Sequence, residues 1–104
     1  MQHFNATELQ EYLTQARPIL LDVREPWEFK VCHIDGSQLI PMREIPSKIS
    51  ALDPQQEIVV ICHHGIRSRQ VCYFLENNGF TRVINLTGGV AAWARDVDPQ
   101  MTVY

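Results

Sequence analysis

Residues 58–70 read Ile-Val-Val-Ile-Cys-His-His-Gly-Ile-Arg-Ser-Arg-Gln, an apolar run that ends in a thiol, two imidazoles, a glycine and two guanidinium groups. Three kinds of chemistry fit these residue types. Cys62 can be a buried core thiol at a strand end. It can be one ligand of a metal site with His33, His63 and His64, although adjacent ligands on a tight loop give poor tetrahedral geometry. It can also be a nucleophile that the strand delivers into an anion-binding loop.

The loop itself favours the third. Residues 63 to 68 contain no proline, so each offers a backbone N–H. Gly65 lets the chain enter the left-handed region, where successive amides converge into a nest. A helix is expected to begin near Arg67-Ser68, with its positive dipole end facing the same place. Such surroundings favour a thiolate over a thiol. From Ile58 to Leu75 there are two arginines and no acidic residue, in a chain of net charge −3. A local positive field in an acidic protein points to a small anion rather than a polyanion, and the overall charge argues against nucleic acid as the main partner.

The elements that must hold this loop follow from periodicity. Thr7-Glu8-Leu9-Gln10 reads as a capping box that opens a helix with Leu9, Tyr12 and Leu13 on one face. Ile19–Leu21 is a short apolar strand, Pro26 opens a helix with Trp27 and Phe29, and Ser37–Ile40 is a strand stopped by Pro41. A helix follows from Pro46 through Leu52. Glu57–Ile61 is apolar on both faces and so is expected to be buried on both. Val71, Phe74 and Leu75 have helical spacing, with a stop at Asn77-Asn78-Gly79. Arg82–Leu86 is a further strand, and Gly88-Gly89 leads into a short helix over Val90–Ala94. From Asp96 to Tyr104 a polar tail is expected, with Met101, Val103 and Tyr104 loosely packed. Alternating strands and helices predict an α/β fold with a parallel sheet of about five strands and helices on both faces. Ligands of such sheets bind at the carboxyl ends of the strands. Cys62, Asp22-Val23-Arg24 and Met42-Arg43 all fall there.

A chain of 104 residues, 45% hydrophobic and 20% charged, is one ordinary globular domain over residues 1–104. No apolar run approaches a membrane span. The N-terminus lacks a signal-peptide pattern, and Cys32, Cys62 and Cys72 cannot all pair with one another. A reduced, cytoplasmic thiol protein is expected.

The segment Cys62-His63-His64-Gly65-Ile66-Arg67-Ser68 resembles the active-site loop of the rhodanese family of sulfurtransferases. The likeness continues in Leu21-Asp22-Val23-Arg24-Glu25, Trp27-Glu28-Phe29, His33-Ile34-Asp35-Gly36-Ser37 and Ile40-Pro41. It closes with Leu86-Thr87-Gly88-Gly89-Val90 and Ala92-Trp93. Cys32 departs from the glycine that many members carry before the histidine. The resemblance implies a rhodanese-like fold and transfer of a sulfane sulfur through a Cys62 persulfide, with thiosulfate as a donor and no metal or organic cofactor. Cyanide or cellular thiols, a protein thiol such as thioredoxin included, would accept the sulfur. It assigns substrate contacts to His63, His64, Gly65, Ile66, Arg67 and Ser68, chiefly through the backbone. Arg43 is a candidate for recruiting thiosulfate, and Asp22 and Arg24 are expected to brace the strand ends. Cys72 reads as core. Members of this fold also serve in sulfur relay or as binding modules. Cysteine phosphatases, the rival enzymes, have loops one residue longer than the four that separate Cys62 from Arg67, which leaves them room for a phosphate.

Overall fold

Side chains alternate across a strand, so a wholly apolar strand must serve two cores at once. In the computed structural model, which describes residues 1–104, strand β4 (Ile58–Ile61) does this. Val59 and Ile61 enter one core, Ile58 and Val60 the other. The remaining strands are β1 (Gln2–Phe4), β2 (Ile19–Asp22), β3 (Gln38–Leu39) and β5 (Val83–Leu86). All pair in parallel, in the order β1-β5-β4-β2-β3. Helices α1 (Ala6–Tyr12) and α5 (Gly89–Asp96) cover one face through Leu9, Val90 and Trp93. Helices α3 (Ile45–Lys48) and α4 (Ile66–Glu76) cover the other through Ile45, Val71 and Leu75. Helix α2 (Pro26–Val31) lies between β2 and β3 in sequence. No helix is long and apolar enough to cross a membrane.

Four details differ from the sequence expectation. The first helix is capped by Asn5 and Glu8, not Thr7 and Gln10. Asn5 Oδ1 accepts the Glu8 amide at 2.8 Å and Glu8 Oε1 accepts the Asn5 amide at 2.8 Å. Met1 to Phe4 is too short to show periodicity, yet it supplies the edge strand β1. The expected helix from Pro46 is a single α-turn flanked by 3₁₀ turns at Met42–Glu44 and Ile49–Ala51. The last residues are a loose tail only in part, with Val103 71% exposed. Met101 packs against the first core, and Tyr104 folds back onto the strand ends.

Candidate active site

The loop after β4 is shaped from two sides. Gly65 caps α4 at φ +96°, the left-handed conformation expected of it. Its N–H donates to Cys62 Sγ at 3.0 Å. From the other side, the first turn of α5 takes the loop's carbonyls. The Val90 amide donates to the Cys62 carbonyl at 2.9 Å and the Ala91 amide to the His63 carbonyl at 3.1 Å. A Cβ on Gly89 would stand 2.3 Å from the Cys62 carbonyl oxygen, so this approach requires glycine. With the carbonyls drawn toward α5, the amides of His63, His64, Ile66, Arg67 and Ser68 are left with no acceptor in the chain. That is the arrangement of an anion cradle.

The sulfur lies deep, with Cys62 only 1% exposed. Besides the Gly65 amide it meets Ser68 Oγ at 3.3 Å, and Ser68 Oγ lies 2.5 Å from Asn85 Oδ1 on β5. Asn85 Nδ2 returns to the Gly65 carbonyl at 3.4 Å. Ser68 and Asn85 are both buried.

Two ion pairs support the loop from outside. Arg67 forks onto Glu28 at 2.8 and 2.9 Å. The Glu28 carboxylate also accepts the Glu25 amide and the Tyr104 hydroxyl. The Arg67 bonds outweigh burial and bring Glu28 down to about 2, with smaller help from the Glu25 amide and Tyr104. Arg24, wholly buried, forks onto Asp22 at 2.8 to 3.1 Å and reaches the Cys32 carbonyl at 2.6 Å. Burial opposes its charge, but the bonds it donates to Asp22 and Tyr104 overcome this and raise it above the ordinary guanidinium value. The Tyr104 hydroxyl joins the two pairs, accepting from Arg24 and donating to Glu28 at 2.8 Å each. Its own titration is pushed up to about 12, chiefly by burial. The Tyr104 ring stacks on His63 at 4.1 Å, and His63 stacks on His64 at 3.9 Å. Burial first, then the neighbouring His64, holds His63 below the ordinary imidazole range.

Cys62, Gly65 and Ser68 therefore converge on one sulfur, while the other expected residues stand around it. Asp22 and Arg24 make a buried pair beneath the loop. Arg43 is largely exposed and pairs with Glu25, sharing a groove of about 390 Å³ with Val23, Met42 and Arg67. The Ile66 side chain is 62% exposed and His64 is exposed. Cys72 is buried in the second core. Sequence reasoning missed Glu28, Asn85 and Tyr104 as site residues. Asn85 had a signal, a lone amide in the apolar strand Val-Ile-Asn-Leu. Glu28 stands three residues after Glu25, the spacing of the capping box it forms. Tyr104 had none, because nothing local says where a chain end returns.

The model of the rhodanese-like domain matches residues 5–96. The chain is 37% identical over 100 residues to the probable adenylyltransferase/sulfurtransferase MoeZ of Mycobacterium tuberculosis, covering 93% of this chain and 26% of MoeZ. It thus spans about a quarter of that relative's length. To the thiosulfate sulfurtransferase GlpE of Stutzerimonas stutzeri it is 33% identical over 81 residues, 78% of this chain and 74% of GlpE. The crystal structure of a rhodanese-like domain protein from Staphylococcus aureus superposes with a TM-score of 0.83 at 32% identity, over 89% of this chain and 91% of that one. With the family motifs in order on the parallel sheet, the chain belongs to the rhodanese family as a rhodanese-like domain.

Proposed function

We propose that the chain moves a sulfane sulfur from thiosulfate to a thiophilic acceptor through a persulfide on Cys62. The observation that carries this reading is a buried sulfur 3.0 Å from the Gly65 amide, inside a loop whose other amides lack acceptors. In the first half-reaction the Cys62 thiolate gives an electron pair to the outer sulfur of thiosulfate. The donor's S–S bond breaks and sulfite leaves with its electrons. One negative charge remains, now on the terminal sulfur of Cys62–S–S⁻, where the loop amides can hold it as an oxyanion hole holds oxygen. In the second half an acceptor attacks that terminal sulfur and the Cys62 thiolate returns. Cyanide serves in an assay, and thiols, including a protein thiol such as thioredoxin, serve as natural acceptors. The cycle needs no cofactor and predicts ping-pong kinetics.

Likeness to GlpE supports thiosulfate as donor. The loop, with four residues between Cys62 and Arg67, supports a cradle for one sulfur atom rather than a phosphate. Three free thiols support a reducing compartment such as the cytoplasm. Mass spectrometry after incubation with thiosulfate tests the reading. One added sulfur on the Cys62 peptide, removed by cyanide and absent from Cys62→Ser, is expected. Sulfur found on Cys32 or Cys72 of that variant, with turnover intact, would overturn it.

A further inference from the structure

Ser68 carries one hydroxyl proton and has two neighbours able to take it, Cys62 Sγ at 3.3 Å and Asn85 Oδ1 at 2.5 Å. Asn85 decides between them. Its Nδ2 faces the Gly65 carbonyl at 3.4 Å. Turning the amide over would set two oxygens against each other there. Oδ1 therefore faces Ser68, and having no proton of its own it accepts the hydroxyl's. Ser68 is left with only lone pairs toward the sulfur. A thiol satisfies them by donating S–H, whereas a thiolate meets them with its own negative charge.

We propose that Asn85 is a positioning residue that, by holding the Ser68 proton, withholds a hydrogen bond from the Cys62 thiolate and favours moving its charge outward onto a persulfide's terminal sulfur. A thiolate with one donor fewer is held less tightly at Sγ. In the attack on thiosulfate its charge passes along the new S–S bond to the outer sulfur, away from the Ser68 lone pairs and toward the unpaired amides. Sγ becomes a neutral disulfide sulfur, for which the Ser68 lone pairs carry little penalty. The charged and titratable groups around the sulfur are Arg67 with its partner Glu28 on α2, His63 and His64 in the loop, and Cys72 on α4. Substitutions at 68 and 85 leave all of them in the chain.

The sign of one substitution tests the idea. Thiolate absorbance near 240 nm at neutral pH is measured with the Cys62→Ser spectrum subtracted. Ser68→Ala should raise the thiolate-to-thiol ratio in the wild-type background, because it removes lone pairs that oppose the anion. Asn85→Leu keeps the side-chain size and frees the Ser68 proton for the sulfur, so the ratio should rise about tenfold. In that second background Ser68→Ala should now lower the ratio, since Ser68 has become a donor. Persulfide formation from thiosulfate should slow in Asn85→Leu. A fall in the ratio with Ser68→Ala in the wild-type background, or no change in either background, overturns the proposal. If Asn85→Leu does not fold, the sign of Ser68→Ala alone decides. The inference rests on Cys62 as the sulfur acceptor, but the absorbance arm needs no sulfur donor. Failure of wild type to take up sulfur would strike the functional reading and leave the proton assignment to be judged by absorbance.

Discussion

Cys62 and Cys72 are both buried, but only one has polar company. The Cys62 sulfur touches an amide and a hydroxyl, while Cys72 lies among Val71, Leu75 and other residues of the second core. Burial, and then the nearby Glu76, pushes the Cys72 thiol up to about 12. Iodoacetamide at mildly alkaline pH should therefore label Cys62 and spare Cys72 in the native protein, with both labelled after denaturation, as peptide mapping will show. Glu28 makes a prediction of the same scale. Its carboxylate is held at about 2 against an ordinary 4.5. A carboxylate lowered by folding contributes its full stabilisation above the ordinary value and loses it as pH falls from 4.5 through about 2. Glu28→Gln should cost about 2 to 3 kcal/mol at neutral pH and almost nothing near the acid end of that window. Urea unfolding of the two proteins across the range measures the gap. A gap that stays constant with pH would show that the loss is one of packing, not of charge.

At the scale of elements, the site depends on two helix starts meeting one loop. Helix α4 carries the capping glycine, and α5 takes the carbonyls of Cys62 and His63. Gly89→Ala would drive a methyl to 2.3 Å from the Cys62 carbonyl oxygen at φ +57°. The variant should lose about 2 to 4 kcal/mol of stability and most of its sulfur uptake together. Thermal melting and persulfide mass measurement check both, and a stable variant with a dead loop would separate geometry from folding. These elements were legible in the sequence. Apolar runs and the glycines at 65, 88 and 89 marked strands and turns, and the strand ends named the edge where the site stands. What was not legible was short or depended on distant partners. Asn5 and Thr7 both head plausible caps with an acceptor three residues on, and only the path of the preceding strand β1 selects Asn5. The segment around Pro46 has helical apolar spacing at Ile45, Ile49 and Leu52, yet it closes one α-turn between two 3₁₀ turns, so spacing alone did not reveal the break.

Across the whole molecule, the last residue of the sequence closes a network whose other members lie near residues 24, 28 and 63. Tyr104 roofs His63 and bridges Asp22–Arg24 to Glu28–Arg67. No local pattern announces such a return, which is why the sequence reading left Tyr104 in a loose tail. Because burial is the chief cause of the lowered His63 titration, Tyr104→Ala should uncover the ring and move its midpoint up toward the ordinary 6.5. An NMR pH titration of the imidazole protons follows this directly; an unmoved midpoint would assign the effect to His64. The order in which the chain emerges adds a further consequence. Cys62 leaves the ribosome before Val90 and Ala91, whose amides take the carbonyls of Cys62 and His63, and β1 must wait for β5 before it can pair. At about 5 to 20 residues per second, roughly 1 to 6 seconds separate synthesis of the cysteine from synthesis of Ala91. During that interval the thiol belongs to an unfinished chain with no completed cradle. The loop around Cys62 is thus finished only when α5 arrives to take its carbonyls.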